Sequence, residues 1–325
     1  MPGPGSRWVP SARPAGARRG GMRLGRVPGP LLAGLLLGAC ELQEVTTAPA
    51  ADFVVVEVML EAGADSQFAY LHRAVGQGSV RVPGAQVTVT DALGKALHFR
   101  PVDYWRCLSP EPARPGSAGS CYGASAGAAP IRAGQTYELQ VRTADGARLS
   151  GTTHVPGELL LRQPRAAECA LPPDTSLELR WGAAAGAWVY EVEAQFTDIF
   201  PVLVARGVVT DTPNVPLRLQ GLAITAADTT LVLPGELGLF DRFDATLHPI
   251  LVALGGGLPE GVSAEVVVAA ADRNYVNWVR GDSFNPSGQV RVPSVRGAGT
   301  GVFGSFTSAR FRLRVTRDST LPGCF

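Results

Sequence analysis

From residue 53 onward the chain is dominated by short runs in which apolar and polar positions alternate. Val54, Val56, Val58 and Leu60 share one side of an extended segment, and Val87 and Val89 alternate with Thr88 and Thr90. Tyr137, Leu139 and Val141 are set against Thr136, Glu138, Gln140 and Arg142 in the same way. This period gives a strand one buried and one solvated face. Ala133-Gly134 before the last run and Asp145-Gly146 after it supply turns. Short strands between turns, without a long helical period, predict an immunoglobulin-like or transthyretin-like β-sandwich over 53–157. Residues 108–134, rich in Pro, Gly and Ser, read as its one long loop.

Residues 158–168 read as a linker, although Leu159-Leu160-Leu161 is apolar enough to dock. A second strand pattern follows over 169–325. Leu177, Leu179 and Trp181 face one way; Trp188, Tyr190, Val192, Ala194 and Phe196 then alternate with Val189, Glu191, Glu193 and Gln195. Joined by residues 182–187, these two strands resemble the opening of a fibronectin III-like sandwich. The final run sets Phe311, Leu313 and Val315 against Arg310, Arg312 and Arg314. Between them, Leu237, Phe240, Phe243, Leu247, Leu251 and Leu254 recur at helical steps. That spacing predicts a helical insertion over 236–254, kinked at Pro249 and stopped at Gly255. The expected fold is all-β: two tandem β-sandwich domains with this insertion in the second.

The first 52 residues read differently. Residues 1–39 form a leader whose apolar core, Leu31-Leu32-Ala33-Gly34-Leu35-Leu36-Leu37, follows Arg23 and Arg26 and ends in small residues, as a secretory signal does. Residues 1–21 are long and Pro/Gly/Arg-rich for such a segment, and a start at Met22 would give a compact one. Leu37-Gly38-Ala39-Cys40 looks like a bacterial lipobox, which makes Cys40 the expected lipidation site and 40–52 a lipidated tether. Acyl chains on Cys40 would anchor the protein at a membrane without a spanning helix. Glu41, rather than Asp, favours the outer membrane by resemblance to Gram-negative sorting.

Composition narrows the function classes. The formal charge of +1 hides six leader arginines; without them 23 basic side chains face 28 acidic ones, so nucleic acid is not an expected partner. Four cysteines follow Cys40, and an exported chain invites disulfides among three possible connectivities. Cys107 with Cys121 and Cys169 with Cys324 is the expected pairing, the first across the long loop and the second tying the ends of the second domain.

The chain also resembles the envelope lipoprotein family catalogued as domain of unknown function 4249. The segments that carry this are residues 83–91, 133–141, Asp145-Gly146, Thr152-Thr153-His154-Val155-Pro156, Asn274-Tyr275 and 297–304, in that order after the lipobox. The resemblance implies an accessory role beside an outer-membrane barrel or TonB-dependent receptor, and it brings no catalytic residues.

Candidate chemistry is sparse. Gly123-Ala124-Ser125-Ala126-Gly127 matches a serine-hydrolase elbow but lies in a small-residue loop rather than before a helix. Gly299-Thr300-Gly301-Val302-Phe303-Gly304 has the spacing of a phosphate-binding loop but leads into a strand, so the glycines are expected to form a tight turn while Phe303 fills a core. His72, His98, His154 and His248 are dispersed without metal-ligand spacing, and Asp241 and Asp244 read as a solvated helix face. No cofactor, metal or catalytic residue is expected. Tyr104, Trp105 and Tyr122, flanking the long loop, form the expected binding surface. These observations favour a non-enzymatic, lipid-anchored envelope interaction module of open oligomeric state. The alternative is a glycan- or nutrient-binding lipoprotein, and a serine hydrolase is the remote one.

Overall fold

The computed structural model describes residues 53–74, 80–107, 118–213, 215–223, 225–239, 244–279, 292–318 and 320–325. The leader, Cys40 and the tether to Asp52 lie outside the described residues, as do Phe240, Asp241 and Phe243. The N-terminal strands are β1 (Val54–Glu61), β2 (Ser66–Arg73), β3 (Gln86–Asp91), β4 (Ala96–Val102), β5 (Ser120–Ser125), β6 (Thr136–Arg142) and β7 (Arg148–His154). Then come β8 (Leu161–Gln163), β9 (Glu168–Leu171), β10 (Leu177–Trp181), β11 (Val189–Thr197), α1 (Ile199–Ala205), β12 (Leu217–Ala223) and β13 (Thr230–Leu233). The chain finishes with α2 (His248–Leu254), β14 (Ser263–Ala271), α3 (Arg273–Val279), β15 (Val295–Gly297) and β16 (Gly299–Val315).

The all-β class expected from the alternation holds, and the cleanest strand, β6, is buried at every second residue. One continuous sheet runs β12-β11-β14-β16-β1-β2-β5-β4-β3-β6-β7-β15, with β9 also pairing β16. A smaller sheet, β13-β10-β8, faces its C-terminal part. The 17-residue β16 is the spine. Its first half pairs in parallel with β1, from Val54 opposite Gly299 to Glu61 opposite Phe306. Its second half pairs antiparallel with β14 and parallel with β9.

Two principal cores flank that spine. The first gathers Val56, Val58, Leu71, Val87, Leu139 and Val155, and it also takes Val295 and Phe303 from the far end of the chain. The second is built from Leu177, Trp181, Tyr190, Phe196, Val266 and Leu313 among others. Residues 295–303 thus serve the N-terminal core, which sequence order assigned to 53–157 alone.

Several expectations need correction. β5 lies inside the segment read as a loop over 108–134 and is an interior strand between β2 and β4; residues 108–117 lie outside the described residues. Its small residues disguise it, because Gly123 sits beneath Phe68 and Val102, whose side chains cover it. Of the helix expected over 236–254, the described residues form α2 at its end, with 236–239 in a turn and 240–243 outside the described residues; Pro249 lies in the first turn of α2, where a missing N–H costs nothing, instead of kinking it. Leu237 is buried from a turn in which Gly238 N–H donates to the Gln220 carbonyl. The glycines of 299–304 form no turn. They lie within β16, where a side chain on Gly301 would overlap the Val56 carbonyl oxygen of the parallel partner. Phe303 does fill the first core. The Leu159-Leu160-Leu161 segment is divided: Leu159 is buried, Leu161 begins β8 and Leu160 is exposed.

The largest departure is on β11. Trp188, expected inward, is 47% exposed beneath the Arg273 guanidinium, whereas Val189 and Glu191, expected outward, are buried. The cause is α3, which lays Tyr275, Val276 and Trp278 across the second face of the sheet. It covers Val189, Ala269 and Phe306 on one side and Val55 and Val302 on the other.

Candidate functional site

Where α3 meets the sheet, a buried polar seam joins the two halves of the chain. Thr153 on β7 donates to the Asp272 carboxylate at 2.5 Å and lies 2.8 Å from the Ser305 hydroxyl on β16. The other Asp272 oxygen accepts the Tyr275 N–H at 2.9 Å, capping the first turn of α3. Asn274 donates to the carbonyls of both Thr152 and Phe303 at 2.8 Å. The Tyr275 hydroxyl then reaches across to the Glu191 carboxyl at 2.7 Å.

Electrostatics follow from burial. Loss of water pushes the Glu191 carboxyl up to about 8, against a smaller downward pull from the Tyr275 hydrogen bond. Glu193 is raised by burial as well, partly countered by Arg218, and Asp272 by burial against its hydrogen bonds. The Tyr275 hydroxyl is pushed well above its ordinary value, by burial first and then by Glu191. The groups of this seam are engaged with one another, so its chemistry is that of a clasp between cores. Thr152-Thr153 and Asn274-Tyr275 were legible only as separate segments of a family resemblance. Asp272, Ser305 and Glu191 carried no signal of their own.

The expected aromatic surface is not brought together as a unit. Tyr122 is a core residue: its hydroxyl donates to the Val82 carbonyl at 2.6 Å and accepts the Ala85 N–H at 3.0 Å. Tyr104 is half-buried, and Trp105 is 47% exposed with the Arg106 guanidinium 4.7 Å from its ring centroid. Both expected disulfides are present. Cys107 and Cys121 stand 5.7 Å apart at Cα and fasten this turn to β5. Cys169 and Cys324 stand 5.0 Å apart and fasten the chain end to β9.

Ser125 is exposed at the end of β5 and leads into a single 3-10 turn. His98 and His154 contact Thr88 and Thr136 on neighbouring strands, and His72 lies against Tyr70. His248 begins α2. Asp244 accepts the N–H groups of Thr246 and Leu247 ahead of that helix. Among the described residues no three His, Cys, Asp or Glu side chains cluster as a metal site would need, and no helix is long and apolar enough to cross a membrane. A surface cleft of about 510 Å³ opens beside β8, between Glu158, Leu160, Arg162 and Arg165 on one wall and Gly182 and Ala183 on the other.

Residues 42–168 match the family model of a domain of unknown function, DUF4249. The DUF4249 segment ends at the start of β9, so it omits β15 and β16, which complete its core. No curated protein is a significant match. A DUF4785 family protein from Legionella pneumophila subsp. pneumophila str. Philadelphia 1 aligns at 10% identity and TM-score 0.21, over 66% of this chain and 51% of that one. The three N-terminal domains of the bacteriophage RB49 Highly Immunogenic Outer Capsid protein align at 11% identity and TM-score 0.18, over 82% and 59%. This chain therefore spans little more than half the length of either, and neither bears on its fold or activity.

Proposed function

We propose that the protein is a lipid-anchored cell-envelope module that holds a rigid β-structure beside a membrane and acts by contact, without catalysis. The observation that carries this reading is Leu37-Gly38-Ala39-Cys40 behind a short apolar core, followed at once by a small, polar stretch to Asp52. The paired cysteines support it, because disulfides persist in oxidising compartments such as the bacterial envelope. The outer membrane is the proposed location, and a barrel or TonB-dependent receptor the proposed partner.

Metabolic labelling with an alkyne fatty acid, followed by membrane fractionation, tests the anchor. The chain is expected to take up label and sediment with outer-membrane vesicles, while Cys40→Ala is expected to lose the label and the sedimentation. Equal labelling of both forms would end the reading. A second reading, glycan binding, draws on the exposed Trp105 ring stacked under Arg106. Retention on immobilised polysaccharide, lost in Trp105→Ala, would favour it.

A further inference from the structure

We propose that the cleft beside β8 binds an anionic amphiphile, its phosphate or carboxylate head held by Arg162 and Arg165 and its apolar stem laid against Leu160. This inference is independent of the lipid anchor. The cleft, about 510 Å³, has the capacity of a small-molecule site, about 300–1,000 Å³. Arg162 is the outward residue of β8, between the half-buried Leu161 and Gln163. Its guanidinium lies across Gly182: the first side-chain carbon of any other residue there would stand 3.7 Å from both Nε and Nη2. The Gly182 N–H donates to the Leu160 carbonyl at 2.9 Å, so this wall of the cleft is fixed to the other through the backbone.

Arg165 projects into the same cleft from beyond the buried Pro164. Arg162 and Arg165 form no ion pair or hydrogen bond with another described residue, whereas Arg180 on the adjacent β10 is paired with Glu178 at 2.6 Å. Two guanidinium groups on one concave wall suit the planar, two-oxygen geometry of a carboxylate or phosphate. In open water that contact alone is weak, about 0–1 kcal/mol per ion pair. The exposed side chain of Leu160, 65% accessible and at the rim, supplies the second element, an apolar surface that a stem can cover. Glu158 lines the same cleft and opposes an anion, which gives the test its sign.

Calorimetric titration of the disulfide-bonded full chain carrying Cys40→Ala, with decyl phosphate below its micelle concentration, measures this binding. Decyl phosphate is expected to bind, and inorganic phosphate about tenfold more weakly or not at all. Arg162→Ala with Arg165→Ala is expected to weaken decyl phosphate about tenfold or more, while Glu158→Gln strengthens it. All three positions are at the surface, so thermal unfolding should be unchanged. Sedimentation with phosphatidylglycerol-containing vesicles over phosphatidylcholine alone, lost in the double arginine variant, would place the head group in a membrane lipid. Binding of decyl phosphate without it would place the head group on a soluble anion. Failure to bind decyl phosphate, or binding that ignores both arginines, or weakening by Glu158→Gln, would overturn the proposal.

Discussion

Replacing Glu191 by Gln should stabilise the protein, and by an amount that grows with pH. In the folded chain this carboxyl is buried between β11 and α3, with the Tyr275 hydroxyl as its partner and Glu193 as a like charge acting on it. Burial lifts it from 4.5 in an exposed chain to about 8. Below about pH 4.5 both states hold the proton and folding is unaffected. Between 4.5 and 8 the unfolded state releases a proton that the native state keeps, so stability falls by about 1.4 kcal/mol per pH unit. The accumulated cost is about 3 kcal/mol at pH 7 and levels off near about 5 kcal/mol above pH 8. The side-chain amide introduced by Glu191→Gln would retain an oxygen for the Tyr275 hydroxyl and remove the ionisation. Urea unfolding of the disulfide-intact protein at pH 5 and pH 8.5, followed by tryptophan fluorescence, reads the difference directly. Glu191→Gln should gain about 4 kcal/mol more over the parent at the higher pH than at the lower. Glu193, also raised by burial, is present in both proteins, and loss of its repulsion with the Glu191 carboxylate in the variant acts in the same direction. An equal effect at the two pH values would refute the argument and mean that the carboxyl is solvated or already ionised.

Other consequences of the fold are open to the same kind of measurement. Phe303→Ala should cost about 3–5 kcal/mol in urea unfolding, because the ring is fully buried in the N-terminal core. A chain ended at residue 168 should lack a cooperative transition and bind hydrophobic dyes, since it loses both Val295 and Phe303; a sharp transition in that fragment would contradict the assignment of the core. Tyr122→Phe should cost about 1–3 kcal/mol by stranding the Ala85 N–H and the Val82 carbonyl, as thermal unfolding would show. Replacing Cys169 and Cys324 by Ala should lower stability by up to about 5 kcal/mol, against up to about 3 kcal/mol for Cys107 and Cys121, because the first pair closes the far longer loop, 155 residues against 14. Equal losses for the two pairs would argue against loop closure as the cause.

What the sequence reveals about this fold depends on how many faces of a strand are covered. β6 and the second half of β16 have one wet face, and their alternation can be read residue by residue. β11 is covered on both faces, so its polar-looking side, Val189 and Glu191, is buried while Trp188 lies outside the sheet's protection. The helix responsible has seven described residues, too few for a period to stand out. At 236–254 the helical steps mislead in the opposite sense: Leu237 is buried from a turn, whereas Leu251 and Leu254 belong to α2. At the seam, Thr153 meets partners 119 and 152 residues away, and nothing local marks such pairs. The surface aromatics divide for a similar reason: Tyr122 belongs to an interior strand whose small neighbours give it the look of a loop.

The parallel pairing of β1 with β16 also sets a timetable for synthesis. All seven of the N-terminal strands have been made once residue 154 emerges, yet β1, already paired with β2, still lacks β16 on its other edge and the surrounding core still lacks Phe303. All of the chain from residue 154 to Phe303 must be delivered, from a ribosome or through an export channel, before that gap closes. Through this interval the earliest strand presents an unpaired, valine-rich edge, the kind of edge that recruits other chains. The first part of the molecule to be made is therefore among the last to be finished, and a chaperone's protection would matter most during that wait.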